Sequence, residues 1–159
     1  MEQLELLERP YRYAFDACSF NTQKMSRYHS GKVFVSLWDK ISDLILRQEI
    51  ITSTEIIEEL GDEEVRNWVI QNKCYAVEPD ETIQGMVTEI LRLHPAMIDF
   101  KKGKSSSDPF LIATAKKYKL TVITEENRTS PRKIPMVCAA LNIECLDITG
   151  LCIREGWTF

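Results

Sequence analysis

Residues 107–126 read SDPFLIATAKKYKLTVITEE, and they carry the clearest secondary-structure signals of the chain. Asp108 and Pro109 are typical of a helix start, because proline suits the first helical turn, and FLIATAKKYK continues the helix. The run LTVIT at 120–124 is typical of a buried strand. A helix that leads directly into a buried strand is typical of an α/β protein.

The chain before this stretch also alternates strands with helices. YRYAF at 11–15 predicts a strand that runs into Asp16, and CSFNTQKMSRYHSG at 18–31 reads as a polar connection. The next segment predicts an amphipathic helix, because apolar residues recur there at helical spacing. These residues are Phe34, Leu37, Trp38, Ile41, Leu44 and Ile45.

Capping signals predict where several helices begin and end. Thr52 and Glu55 form a capping-box pattern that starts a helix at 53–60, and Gly61 is positioned to end it. Three more helices are predicted, starting at Asp62, at Pro79–Asp80 and at about Pro135.

The strand at 143–148 and a last helical turn complete the pattern. Strand–helix alternation predicts a three-layer α/β/α fold, with a mainly parallel central sheet and helices on both faces. At 159 residues and 18.4 kDa, the chain is expected to form a single domain over residues 1–159.

Composition narrows the functional class. The apolar stretches are too short or too charged to span a bilayer. The beginning of the chain, MEQLELLERP, is acidic where a secretion signal needs a basic start, which favours a cytoplasmic protein. The net charge of −4 and the pI near 5.3 argue against a protein that coats nucleic acid by charge alone.

The five cysteines are an odd number and fit reduced thiols. Cys138, Cys145 and Cys152 are spaced seven apart, but no CxxC pair or Cys/His cluster supports a zinc site, which favours buried apolar roles. The two histidines, His29 and His94, have no Ser or Cys partner at a spacing that predicts a nucleophile–histidine triad.

Basic residues accompany the acids of the C-terminal half. A basic rim around an acidic centre is what a nuclease needs to act on a polyanion, although solvated helix faces explain each lysine equally well. These basic residues are Lys101, Lys102, Lys104, Lys116, Lys117, Lys119, Arg128, Arg132 and Lys133.

Three acids are expected at one edge of the sheet. Ligands of open parallel sheets bind beyond the carboxyl ends of the strands, and Asp16 and Glu126 directly follow predicted strands. Asp108 reaches the same edge if its helix leads back from it. Other interpretations stay open: Asp108 as an ordinary N-cap and Glu126 as a loop residue. Asp16 sits between apolar segments, where an unpaired carboxylate costs free energy unless it binds a cation.

Glu59 is a fourth candidate, chosen from three acids on one helix. With about 100° per residue, the apolar face is defined by Ile56, Ile57 and Leu60, and Glu59 lies nearer its centre than Glu55 or Glu58. A carboxylate cluster without His or Cys is the oxygen-rich cage that Mg²⁺ or Mn²⁺ prefers.

Several motifs together, in this order, resemble the PIN-domain nucleases. They are FDACSF at 15–20, IIEEL at 56–60, SDPFLIATA at 107–115 and VITEE at 122–126. The chain is similar to a PIN-like branch long catalogued as uncharacterised, also through KIPMVCAALNIECLDI and the terminal EGWTF. The resemblance covers nearly the whole chain and rests on motif order and spacing.

The resemblance implies a PIN-like fold, divalent-metal-dependent cleavage of RNA, and membership of a toxin–antitoxin pair, as in the VapC-like toxin ribonucleases. It also implies an antitoxin partner and, by analogy, a homodimer. By position, Asp16, Glu59, Asp108 and Glu126 match the family's metal-binding and catalytic acids, and Thr124 matches its hydroxyl.

We expect Asp16, Glu59 and Asp108 to bind the metal, with Glu126 in a second-metal or water-orienting role. The fourth acid can be either Glu126 or Glu125.

The sequence departs from the family pattern at two positions. Cys18 stands where a polar Asn, Ser or Thr is frequent, with Ser19 as a candidate substitute, and the last acid is Glu rather than Asp. Cys18 therefore keeps a second hypothesis open, a degenerate binding module held by a partner protein or gripping RNA without cutting it. An aspartate-nucleophile phosphatase ranks lower, because it needs a second Asp where Cys18 stands.

Overall fold

A computed structural model describes residues 9–25, 28–97 and 107–159. At its centre is a five-stranded sheet of order β3-β2-β1-β4-β5, in which every neighbouring pair is parallel. The strands are β1 (Tyr13–Phe15), β2 (Ile50–Ser53), β3 (Tyr75–Val77), β4 (Thr121–Ile123) and β5 (Cys145–Leu146). The predicted α/β fold with a parallel central sheet is confirmed.

Helices flank this sheet. In chain order they are α1 (Ala17–Met25), α2 (Val35–Leu46), α3 (Thr54–Glu59), α4 (Glu63–Gln71), α5 (Glu81–Leu93), α6 (Asp108–Tyr118), α7 (Ile134–Ala140) and α8 (Ile148–Glu155), with a 3₁₀ turn at Pro95–Met97. None of the helices described is long and apolar enough to cross a membrane.

The central strands are buried along their whole length. Every residue of β1 and β2 is buried, as expected for strands covered on both faces. Ala14 of β1 pairs with Ile51 of β2 on one side and with Val122 of β4 on the other. Helix α6 packs across β1, β2 and β4, and its buried side chains include Leu111 and Ile112. Because every neighbouring pair of strands is parallel, the carboxyl ends of all five strands lie at one edge of the sheet.

Most predicted helices begin where their capping signals indicate. The side chain of Asp62 accepts a hydrogen bond from the Val65 amide, and that of Asp80 accepts one from the Ile83 amide, so both are N-caps. Helix α6 begins at Asp108, as predicted.

The predicted N-cap at Thr52 is wrong by one residue. Ser53 caps α3 by accepting a hydrogen bond from the Ile56 amide, while Thr52 belongs to β2 and donates to the Phe15 carbonyl at 2.8 Å. Helix α3 ends at Glu59, with Leu60 as its C-cap, so Gly61 lies just beyond it.

The predicted polar connection at 18–31 is wrong over its first part, because Ala17–Met25 form helix α1. Its sequence carries no apolar stripe at helical spacing, so periodicity did not indicate it. The helix is held instead by tertiary contacts: Ser19 and Phe20 are fully buried, and Phe20 packs on Phe15 with ring centroids 5.0 Å apart.

Strands β2 and β3 had not been predicted, and the three predicted strands are shorter than expected. The segments IITS and YAV are too short for alternation to be recognised. The last helical segment, α8, is longer than the single turn predicted.

Candidate metal centre

Three carboxylates converge at the carboxyl edge of the sheet. Asp16, Asp108 and Glu126 each offer one oxygen, and these oxygens all lie within 4.8 Å of one another. Asp16 follows β1, Asp108 begins α6, and Glu126 lies in the loop after β4. Because β1 and β4 are neighbouring parallel strands, their ends bring the first and last of these acids together.

Asp16 is the most buried of the three, at 3% exposure. Its Oδ1 accepts from the Ala17 amide at 2.8 Å, and its Oδ2 accepts from the Thr124 hydroxyl at 2.7 Å and the Cys18 thiol at 3.0 Å. Burial raises the pKa of Asp16 to about 6, helped by the charge of Glu126, while the hydrogen bonds from Cys18 and Thr124 oppose the rise. The carboxylate is thus fixed in orientation but costly to ionise without a nearby cation.

Asp108 is more strongly perturbed. Burial, followed by the charges of Asp16, Glu126 and Glu59, raises the pKa of Asp108 to about 8. Asp108 is not the N-cap of α6, because that position is Ser107, whose side chain makes no capping hydrogen bond. The interpretation of Asp108 as an ordinary cap is therefore wrong.

Glu59 borders the trio without belonging to it. It ends α3 and is exposed, and its Oε2 accepts a hydrogen bond from the hydroxyl of the buried Ser107. Since Ser107 directly precedes Asp108, this contact holds Glu59 beside the trio, and its charge contributes to the raised pKa of Asp108. Glu55 instead accepts from the hydroxyl of its neighbour Thr54 at 3.1 Å.

The structure separates the two adjacent glutamates after β4. Glu126 lies in the trio, and its Oε2 accepts from the Ile134 amide at the start of α7 at 3.1 Å. Glu125 turns to the start of α8, where its Oε1 accepts from the Ile148 amide at 2.8 Å. Of the two glutamates, only Glu126 lies close to the other carboxylates.

Cys18 donates a hydrogen bond to Asp16 from the position where the PIN-domain pattern has a polar Asn, Ser or Thr. Its sulfur lies 3.3 Å from Thr124 Oγ1 and accepts from the Glu125 amide at 3.3 Å, in addition to its bond to Asp16. Burial and the charge of Asp16 raise the pKa of the Cys18 thiol, so it stays protonated and can donate. Ser19 does not substitute for it, because the Ser19 hydroxyl donates to the backbone carbonyl of Ile123 at 3.0 Å.

The basic residues divide into two groups. Lys116, Lys117 and Lys119 lie at the far end of α6 from Asp108, about 15 Å along the helix axis at 1.5 Å per residue. They do not border the trio, and Lys117 forms an ion pair with Asp80. Arg128, Arg132 and Lys133 belong to the segment that follows Glu126 in the sequence, and Arg128 donates to the Cys145 carbonyl at 3.3 Å. The predicted Lys101, Lys102 and Lys104 lie outside the described residues.

The donor set fits a hard divalent cation. All three converging ligand atoms are carboxylate oxygens, two of the carboxyl groups have raised pKa values, and a bound cation would offset their mutual repulsion. Among the residues described, no other group of three His, Cys, Asp or Glu side chains lies as close together.

Comparisons with known proteins place the fold. The model of a family described as a domain of unknown function (DUF4411) matches residues 13–159. PAE2754 from Pyrobaculum aerophilum has a crystal structure that is similar to this chain at 13% identity and a TM-score of 0.56, covering 92% of this chain and 90% of its own.

The crystal structure of FitAcB from Neisseria gonorrhoeae is similar at 17% identity and a TM-score of 0.50, covering 86% of this chain and 98% of that one. No curated protein matches the chain. The shared architecture is a PIN-like fold, as the sequence predicted.

Proposed function

The chain belongs to the DUF4411 family, and we propose that it is a divalent-metal-dependent endoribonuclease whose residues 1–159 form one PIN-like domain. The observation that carries this proposal is the trio of Asp16, Asp108 and Glu126, gathered within 4.8 Å at the carboxyl edge of a parallel sheet. A buried acid such as Asp16, oriented by three hydrogen bonds, supports a role in binding a cation rather than in folding.

Each residue has a distinct proposed role. Asp16 and Asp108 hold Mg²⁺ or Mn²⁺, Glu59 completes the set from α3, and Glu126 orients the attacking water or holds a second cation. When bound, the cation would acidify that water and stabilise the charge that develops on the scissile phosphate. Thr124 and Cys18 act by fixing Asp16, because both donate to its Oδ2.

The biological setting follows from the resemblance to PIN-domain toxins. We place the protein in the cytoplasm as the toxin of a toxin–antitoxin pair, of the VapC-like kind, with an antitoxin protein as partner and a homodimer as its assembly.

A binding module without catalysis is the second candidate, favoured by a specific observation. Glu126 already accepts from the Ile134 amide, and Glu59 already accepts from Ser107, so two of the four acids have partners without a cation. In that case the protein grips RNA or a partner protein and cuts nothing.

Cleavage of a labelled structured RNA separates the two candidates. The purified chain is tested in Mn²⁺, Mg²⁺ or EDTA beside Asp16→Asn and Asp108→Asn, which keep side-chain shape but remove a charge. Glu58→Gln is the matched control, since Glu58 is an exposed acid on the same helix as Glu59.

We expect metal-dependent cutting by the wild-type chain and by Glu58→Gln, and its loss in both Asn variants. Full metal-dependent activity in the Asn variants would contradict the assigned site. A folded wild-type chain that neither cuts RNA nor binds Mn²⁺ would favour the binding module.

A further inference from the structure

A cavity of about 410 Å³ lies between the turn after α5 and the loop after Glu126. Its volume lies within the usual range of small-ligand sites. Residues from two chain segments line it: Leu93, His94, Pro95, Ala96 and Met97 from one side, and Ser130, Pro131 and Arg132 from the other.

The loop that forms one wall is fixed at both ends. Asn127 Oδ1 accepts from the amides of Thr129 and Ser130, at 2.7 and 3.1 Å, which holds the first half of the loop in a turn. The other end of the loop is held by the hydrogen bond that Glu126 accepts from the Ile134 amide at 3.1 Å. Arg132 is two residues from that amide, so its backbone lies within about 7 Å of it. The backbone of Arg132, in one wall of the cavity, therefore lies within about 10 Å of the Glu126 carboxylate.

The lining suits an unpaired nucleobase. Leu93 is 49% exposed here although its side chain is apolar, while Met97 lies buried at the base of the turn. His94 and Arg132 supply planar groups, an imidazole and a guanidinium, on which unstacked bases of single-stranded RNA stack. Among the described residues that line the cavity none is acidic and Arg132 is a cation, although the chain has a net charge of −4, so this lining suits part of a polyanion.

We propose that this cavity receives the base of a nucleotide adjacent to the scissile phosphate and thereby selects the position of the cut. This inference rests on the proposed function. Arg132 and His94 would hold the base between planar groups, and the apolar walls of Leu93 and Met97 would exclude water from it. A duplex cannot supply such a base, because its bases are paired and stacked.

Short single-stranded oligoribonucleotides in which one abasic position is moved along the strand test the assignment. Binding is measured by fluorescence anisotropy with the Asp16→Asn chain, in which cleavage is expected to be lost. Ala96→Phe fills the cavity from an exposed turn, and Arg132→Gln removes the guanidinium. Arg66→Gln is the matched control, an exposed arginine on α4 that does not line the cavity.

We expect the abasic position to weaken binding about tenfold in one register and little elsewhere, the size of one stacked base. Ala96→Phe and Arg132→Gln should remove this dependence, and Arg66→Gln should keep it. Equal losses in every register, unchanged dependence in the cavity variants, or no binding to RNA would each overturn the assignment.

Cleavage by the active chain is measured separately, which distinguishes the two proposals. Cutting whose position does not respond to Ala96→Phe would refute the base pocket alone. Register-dependent binding by a chain that never cuts would refute the nuclease and leave the pocket standing.

Discussion

Removing a charge from the metal centre should stabilise the metal-free protein. The pKa of Asp16 is raised from 3.8 to about 6 and that of Asp108 to about 8. The unfolded chain loses these protons first, so the stability present below about pH 4 is lost as pH rises through the two folded-state pKa values. In EDTA the free energy of unfolding should therefore fall between pH 5 and pH 8.

The size of the effect follows from the shift at Asp16. At 1.36 kcal/mol per pKa unit, ionising this buried carboxylate costs roughly 3 kcal/mol, and Asp16→Asn avoids that cost at pH 8. Part of the gain is lost, because Asn has one acceptor oxygen and cannot accept at both positions, from Ala17 and from Thr124 and Cys18, as Asp16 does. We expect a net gain of about 2 kcal/mol, or roughly 4–8 °C in Tm for a chain of this size.

The difference in stability between Asp16→Asn and the wild type is measured from thermal unfolding curves, recorded by circular dichroism at pH 5, 6, 7 and 8. Carboxyl groups with lowered pKa values, such as Glu144 at about 2, are fully ionised below pH 5 and therefore do not contribute to the change in stability between pH 5 and pH 8. The variant should exceed the wild type in EDTA at pH 8, approach it at pH 5, and lose its advantage when Mn²⁺ is added. Glu58→Gln should change little at any pH. An Asp16→Asn variant that is no more stable than the wild type at pH 8 would refute the reasoning.

Three further predictions concern the same edge of the sheet. Calorimetric Mn²⁺ affinity should rise about tenfold or more from pH 6 to pH 8, because Asp108 must lose a proton to bind; a flat profile would contradict this. The kcat of Cys18→Ser should stay within a few-fold of wild type, since a hydroxyl also donates to Asp16, whereas that of Cys18→Ala should fall about tenfold. Equal kcat values for Cys18→Ala and the wild type would show that the donor is dispensable. Glu125→Ala should lower the free energy of unfolding, measured by chemical denaturation, by about 1 kcal/mol, because it removes the acceptor of the Ile148 amide, and it should leave kcat unchanged. A lower kcat at unchanged stability would instead indicate a catalytic role for Glu125.

The C-terminal half could be predicted well because its signals are local. Asp108–Pro109 starts α6 through proline geometry, and the apolar run at 120–124 marks β4. These two elements place two of the three converging carboxylates, and β1 places Asp16. Topology alone then predicts that the three acids share an edge, as they do.

What could not be predicted depends on contacts between distant residues. Helix α1 has no apolar stripe, and it is held by the burial of Phe20 against β1. The hydrogen bond from Ser107 to Glu59 joins residues 48 positions apart, so no local pattern indicates it. The donor role of Cys18 likewise depends on a tertiary contact, because its thiol lies between Asp16 and Thr124, which is 106 residues away in the sequence.

Glu125 and Glu126 point to different parts of the molecule, and this difference affects how related sequences are aligned at this site. The two neighbouring acids after β4 face different surroundings, because Glu126 lies with Asp16 and Asp108 whereas Glu125 accepts from the Ile148 amide. Thr124 and Glu126 share the side that meets Asp16, whereas Glu125 faces α8. An alignment gap of one residue here would exchange the acid that faces Asp16 and Asp108 for one that faces α8, while leaving the count of acids unchanged. In a related chain, the acid two residues after the threonine is the one expected to correspond to Glu126.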